Sequence, residues 1–129
     1  MPIDSSQLAS FCGDLERTRH WLKVLLMTPG VLYVGENGGG QGAMWLIDAI
    51  ASYQADRRIT ANEKLRAMQF WTLRVQPGNT AVLFCTDGDS DEHVIEQAIN
   101  YTDFDLPEIH LYVCDNADGT RTIMLPSEY

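Results

Sequence analysis

The amino-acid sequence predicts an α+β fold in which N-terminal helices pack on a C-terminal antiparallel sheet of about five strands. Two observations lead to this prediction. Helical signals fill the chain up to residue 68, and strand patterns separated by turn residues follow it. Helices that precede strands, rather than alternating with them, are typical of α+β folds. With 129 residues, of which 45% are hydrophobic, we expect a single domain over residues 1–129 that buries a substantial core.

The first quarter of the chain carries one clear helix signal. Thr28-Pro29 predicts the start of a short helix over residues 30–36, because a hydroxyl side chain caps a helix and proline suits its first position. Earlier signals are weaker. They predict a short helix over 5–11, a helical turn or irregular segment over 14–23, and a short buried strand over 22–27.

Residues 43–54 predict the central helix of the fold. At about 100° per residue, Leu46 and Ile50 fall on one side, and Trp45 and Asp48 fall on the other. Because both sides are largely apolar, we expect this helix to be covered on most of its surface. Asp48 then needs partners, since a buried unpaired carboxylate is costly.

Thr60-Ala-Asn-Glu63 matches a capping box and predicts a short helix over residues 64–68. From residue 69 the apolar period changes to two. Residues 69–75 and 81–86, joined by the turn Pro77-Gly78-Asn79, predict a hairpin.

Three further strands are predicted over residues 93–101, 108–114 and 120–125, with a helix over 92–99 as the alternative to the first of them. Together the five strands predict an antiparallel meander with helices on one face. We expect the other face to meet water, and its side chains are Arg74, Glu96, His110 and Tyr112.

Charge and composition restrict the partners and the compartment. The net charge is −9, and residues 75–129 contain one basic residue, Arg121. So acidic a chain argues against direct binding to nucleic acid or to a membrane surface, and favours a protein partner or a homodimer. No apolar run approaches the roughly 20 residues that cross a bilayer, and no secretory signal is present, so we expect a cytoplasmic protein. The three cysteines (Cys12, Cys85 and Cys114) are expected to be reduced, although Cys85 and Cys114 could lie on neighbouring strands.

The recognisable motifs of catalysis and ligand binding are missing, and we expect no cofactor and no metal. The glycine-rich segment 35–42 precedes a helix but matches neither nucleotide-binding fingerprint, which favours a flexible connector. The acidic segment 87–92 fails the calcium-loop pattern and is typical of a solvated loop. The three histidines have no metal-ligand spacing.

One constellation could form a pocket: Arg19, His20 and Trp21 together with Glu36 and Asp48. A histidine near carboxylates can act as a general base, so His20, Asp48 and Glu36 are the candidate catalytic residues. Arg19 and His20, with Trp45 from the central helix, are the candidate ligand contacts. The alternative is structural, with Arg19 and Asp48 in a network that ties the N-terminal segment to the central helix.

Several blocks resemble a small uncharacterised bacterial family classed as a domain of unknown function. The most specific are Trp-Leu-Ile-Asp-Ala-Ile-Ala-Ser-Tyr-Gln at residues 45–54 and Leu-Pro-Ser-Glu-Tyr at residues 125–129. Further blocks lie at residues 19–21, 28–31, 70–73, 101–104 and 106–109. The resemblance implies a stand-alone domain of this length and implies no activity, cofactor or catalytic residue.

These observations favour a non-enzymatic cytosolic binding or protein-interaction module, with Trp45, Trp71 and Tyr129 as exposed contact residues. The alternative is a small enzyme or anion-binding domain with a pocket near His20 and Asp48. A third hypothesis is that the acidic second half imitates nucleic acid and blocks a basic protein.

Overall fold

A computed structural model describes residues 3, 5–11, 17–20, 25–40 and 42–129. They form a single mixed sheet with helices, which confirms the α+β class. The strands are β1 (Thr18–Arg19), β2 (Leu25–Met27), β3 (Met68–Gln76), β4 (Thr80–Thr86), β5 (Ile95–Ile99), β6 (Glu108–Asp115) and β7 (Arg121–Met124). The helices are α1 (Ser5–Ala9), α2 (Pro29–Asn37), α3 (Met44–Ser52), α4 (Arg57–Thr60) and α5 (Glu63–Ala67), with 3-10 turns at Tyr53–Ala55 and Pro126–Glu128.

The sheet has the order β1-β2-β7-β6-β3-β4-β5, so the five predicted strands are present as β3 to β7. The short strand predicted over 22–27 is found as β2, and β1 adds an edge. Strand β2 pairs with β7 in parallel, with Leu25 opposite Arg121. The prediction of a purely antiparallel sheet is therefore wrong, because local periodicity does not reveal which distant strand a three-residue segment pairs with.

The strand order also differs from a meander. Strand β5 takes the outer edge of β4, and β6 pairs with the free edge of β3. The connection over residues 100–107 crosses the end of the β3–β4 hairpin, where the Thr102 amide donates to the carbonyl of Asn79 at 2.7 Å. This crossover brings residues 101–105 to the part of the fold that holds the glycine-rich segment.

The core lies between the helices and one face of the central strands. Trp71 and Leu73 of β3 point into it, in register with Leu111 of β6 and Leu83 of β4, and all four are buried. Their alternation with outward residues is the period of two that predicted the strands. Trp71 is 1% exposed, so the expectation that it is a surface contact residue is wrong.

Helix α3 is central but is not covered all round. Leu46, Ile47 and Ile50 are fully buried against the sheet, and the Tyr53 ring stacks on that of Trp71, with centroids 5.5 Å apart. The opposite side keeps partial exposure, and Asp48 has a 42% exposed side chain. The prediction that most of its surface is covered therefore holds for one side only.

Helix α2 begins where the sequence predicts it. Thr28 Oγ1 accepts from the Val31 amide, and Pro29 takes the first helical position. The buried carboxylate of Glu128 completes this end. It accepts from Thr28 Oγ1 at 2.6 Å, from the Gly30 amide at 3.1 Å and from the Leu125 amide at 2.9 Å. A buried acid at a helix N-terminus is favourable, because it meets amides that have no partner within the helix.

The capping box at 60–63 is misplaced. Asn62 caps α5, accepting from the amides of Lys64 and Leu65, whereas Thr60 is the last residue of α4. The capping residue thus lies two positions later than the pattern predicts, because Asn is also a strong capping residue, and the helix covers Glu63–Ala67, close to the predicted 64–68. Most of the segment predicted over 14–23 lies outside the described residues.

Candidate functional site

His20 and Asp48 are in contact. His20 follows β1, where its amide donates to the carbonyl of Leu25 at 2.8 Å, and Asp48 lies in the middle of α3. His20 Nε2 lies 2.6 Å from Asp48 Oδ1. The imidazole side chain is fully buried, so only the carboxylate side of this pair reaches solvent. The pair ties the N-terminal segment to the central helix, which is the role that the structural alternative gives to this part of the chain.

Arg19 and Glu36, two further candidates of that constellation, are both exposed. Glu36 is exposed near the end of α2 and lines a shallow depression of about 250 Å³ with Tyr33. Arg19 is exposed on β1, and its charge contributes to lowering the pKa of Asp118, after the hydrogen bonds from Thr120. Trp21 lies outside the described residues.

Trp45 borders a separate cleft of about 380 Å³. One wall is the start of α3, and the other is the segment after β5. Its lining residues are Gly42, Trp45, Tyr101, Thr102 and Asp103. Tyr101 is 68% exposed, which is unusual for a large apolar side chain outside a contact surface.

Backbone amides of the glycine-rich segment hold the two walls together. The Gly40 amide donates to Asp103 Oδ2 at 2.8 Å, and the Gly39 amide donates to Asp105 Oδ1 at 2.9 Å. Gly39 has φ +70, and a Cβ there would lie 2.4 Å from Asp103 Oδ1. The glycines are thus needed for close approach. The segment makes defined contacts with the neighbouring wall, and these two amides already bind carboxylates of the same chain.

The lining of the cleft combines two aromatic residues, Trp45 and Tyr101, with an acid, Asp103. Aromatic faces and carboxylates both attract cations. Within the described part of the chain, no basic residue lines the cleft, and Asp103 forms no ion pair. The arrangement is therefore suited to a positively charged ligand group.

The acidic segment 87–92 is a surface loop. Asp87 Oδ1 accepts from the amides of Asp89 and Ser90 at 3.0 and 3.1 Å, and Lys64 Nζ lies 2.7 Å from Asp89 Oδ2. The described residues contain no group of three or more His, Cys, Asp or Glu that could hold a metal ion.

Cys85 and Cys114 are not on neighbouring strands, because β3 lies between β4 and β6. Cys85 is opposite Trp71, on the core face, and burial raises its pKa to about 12. Burial also raises the pKa of Cys114. Both thiols are free and held in the protonated form.

Sequence reasoning missed Tyr101 and Asp103 as site residues. They lie more than fifty positions from Trp45, and only the crossover after β5 brings them to α3. The available signal was the block Tyr-Thr-Asp-Phe at 101–104, in which an aromatic residue and an acid stand in a predicted loop. Loops of this kind often carry binding residues.

The fold and the cleft define a class: an α+β domain whose mixed sheet supports an aromatic and acidic surface cleft. The family model described as "Family of unknown function (DUF6876)" matches residues 3–129, and the chain belongs to this family. This confirms the resemblance to a domain of unknown function. No curated protein and no solved structure matches the chain. In the described part of the chain, no helix has the length and apolar character that crossing a membrane requires.

Proposed function

We propose that this protein is a non-enzymatic cytosolic interaction module that binds a positively charged segment of a partner protein. The observation that carries the proposal is the open cleft in which Trp45 and Tyr101 stand beside the carboxylate of Asp103. Exposed aromatic rings supply contact area at protein interfaces, and an adjacent carboxylate selects for a cation.

The charge distribution supports a basic partner. Among the described residues, the exposed carboxylates of Asp91, Glu92 and Asp115 have no basic group within 4.0 Å. With a net charge of −9, the chain attracts cationic segments at long range and repels nucleic acid.

The same charge disfavours a homodimer built around the cleft. A two-fold contact places the same patch against itself, so Asp103 and its acidic neighbours would face their own copies. Like charges across an interface oppose association. A homodimer through another surface stays a prediction, and the molar mass in solution tests it.

Titration calorimetry with a short peptide of alternating lysine and serine tests the proposal. We expect this peptide to bind at low ionic strength and to bind more weakly as salt is added, because screening reduces charge attraction. A matched peptide of glutamate and serine should not bind. The Asp103→Asn variant should bind the basic peptide less tightly, whereas Asp118→Asn, an exposed acid on another turn, should bind it almost as the wild type does.

Absence of binding at low salt, or equal binding of the two peptides, contradicts the proposal. A basic peptide that binds D103N and D118N equally well places the contact away from the cleft.

The contact of 2.6 Å between His20 and Asp48 favours one second candidate, a small enzyme or anion-binding domain at that pair. The test is thermal unfolding of His20→Gln and Asp48→Asn, with and without phosphate as the anionic probe. If a lower Tm is the only effect of either substitution, the pair has a structural role. A variant that folds normally but loses a phosphate-induced rise in Tm, present in the wild type, supports the second candidate.

A further inference from the structure

We infer that the cleft binds a single arginine side chain, with the guanidinium against the aromatic rings of Trp45 and Tyr101 and hydrogen-bonded to Asp103. The inference rests on the proposed function and names the group that the cleft recognises.

The first argument is an arrangement on the outward face of the sheet. The guanidinium of Arg74 lies 5.0 Å from the ring centroid of Phe84, and Arg74 Nε donates to Glu108 Oε1 at 2.8 Å. An arginine is thus held by one ring and one carboxylate. Both attractions act on the same cation, the ring through its electron-rich face and the acid through its charge.

A second example lies at the end of α3. Arg58 stands 6.0 Å from the ring centroid of Tyr53, and its Nε and terminal nitrogen donate to the two oxygens of Asp56 at 2.9 and 2.8 Å. The same three groups recur here: an aromatic ring, a carboxylate and a guanidinium.

The cleft has the ring and the carboxylate without the guanidinium. No described residue that lines it is basic. The Gly40 amide occupies Asp103 Oδ2, and no hydrogen bond from the described residues reaches Asp103 Oδ1. The volume of about 380 Å³ lies within the range of small ligand sites. The cleft therefore presents the groups that hold Arg58 and Arg74, and leaves the place of the cation to a ligand.

Arginine fits better than lysine for reasons of shape and hydration. The guanidinium is planar, stacks on aromatic faces and donates several hydrogen bonds in one plane. A lysine ammonium is more strongly hydrated than a guanidinium and loses more when water is removed from it. The contacts of a partly open cleft therefore compensate a smaller share of this loss for lysine than for arginine.

The test uses the full chain and three small probes: the N-acetyl methylamides of arginine, lysine and citrulline. Citrulline has nearly the shape of arginine and no charge. The signal of the Trp45 indole N–H, identified as the signal missing from Trp45→Phe, is followed by nuclear magnetic resonance during each titration. We expect the arginine probe to shift this signal saturably, the lysine probe to bind roughly 3-fold or more weakly, and citrulline to leave it unchanged.

Two variants locate the site, and one matched variant controls for surface effects. Tyr101→Leu and Asp103→Asn should each weaken arginine binding by roughly 3- to 10-fold. Tyr129→Leu removes the other strongly exposed tyrosine and should leave it unchanged. Tyr101 is 68% exposed, so Y101L tests the inference even if D103N disturbs the loop.

An arginine probe that leaves the Trp45 signal unshifted, or that binds Y101L and D103N as tightly as the wild type, overturns the inference. Equal shifts with citrulline overturn it as well. If the lysine–serine peptide binds while the arginine probe does not, the inference fails and the proposed function stands. If the arginine probe binds while no basic peptide does, the proposed function fails and the arginine site stands.

Discussion

Glu128 and Asp103 both accept hydrogen bonds from glycine amides, yet they lie in opposite surroundings. Glu128 is 6% exposed and receives three donors at the start of α2. Asp103 is exposed, and among the described residues only the Gly40 amide donates to its carboxylate. A carboxylate surrounded by donors and sealed from water belongs to the fold, whereas one with an oxygen left over at a cleft is available to a ligand. Donor number and burial, rather than residue type, separate the two roles.

The largest effect is expected at Glu128. Glu128→Ala leaves the Thr28 hydroxyl and the amides of Gly30 and Leu125 without their acceptor inside the protein. We expect a loss of about 3 kcal/mol in the free energy of unfolding, measured by urea denaturation. Ser127→Ala, at an exposed neighbouring position, should change it by less than about 0.5 kcal/mol. If E128A and S127A have the same free energy of unfolding, the comparison between Glu128 and Asp103 is wrong.

Gly30→Ala tests the same region from the helix side. A Cβ at Gly30 would lie 2.6 Å from both Glu128 Oε1 and Leu125 Cδ1, so both side chains have to move. We expect a loss of roughly 2 kcal/mol, even though alanine is the better helix former. In the E128A background the same change should cost less, because only the clash with Leu125 remains, and a double-mutant cycle by urea denaturation measures this coupling. Additive losses would show that Gly30 and Glu128 act separately.

At Asp103 we expect little effect on stability. Asp103→Asn weakens one exposed hydrogen bond, so the free energy of unfolding should fall by less than about 1 kcal/mol. Thermal unfolding of D103N and E128A, measured side by side, checks which of the two variants loses more stability. A D103N variant as unstable as E128A would assign Asp103 to the fold and remove the contrast with Glu128.

The smallest effect concerns Asp56, a partly exposed carboxylate with a 25% exposed side chain, which extends the comparison. Mainly through its hydrogen bond from the Arg58 side chain, its pKa falls from 3.8 to about 2. A pKa lower in the folded state means that this acid stabilises the fold above pH 3.8 and that the contribution is lost as the pH falls towards 2.

The stability difference between wild type and Asp56→Asn should therefore shrink over that pH range. Urea midpoints at a series of pH values measure it. Asp91→Asn is the control, because Asp91 forms no ion pair with any described residue. If the stability difference stays constant down to pH 2, the pKa of Asp56 is not lowered by folding.

The elements that the sequence predicts well are those whose signal is local. Thr28-Pro29 marks the start of α2, and alternation identifies β3 to β7, because caps and strand faces depend on adjacent residues. Strand pairing is not local. Nothing near Leu25 indicates that β2 lies parallel to β7, and nothing near Glu108 indicates that β6 pairs with β3.

The candidate site follows the same rule. A need for a partner at Asp48 could be predicted from its place in an apolar helix, and His20 provides that partner. Tyr101 and Asp103 could not be joined to Trp45, because their proximity depends on the crossover after β5. The role of Glu128 was likewise hidden, since its donors are set by tertiary packing about a hundred residues away in sequence.

The parallel pairing of β2 with β7 has a consequence for protein synthesis. As the ribosome releases the chain, Leu25 and Met27 emerge well before β7, the strand that covers their flank. Until β7 is made, these apolar residues have no native neighbour on that side, and transiently exposed apolar surface of this kind favours aggregation. Assembly of the first strands therefore waits for the synthesis of β7, however early they are made.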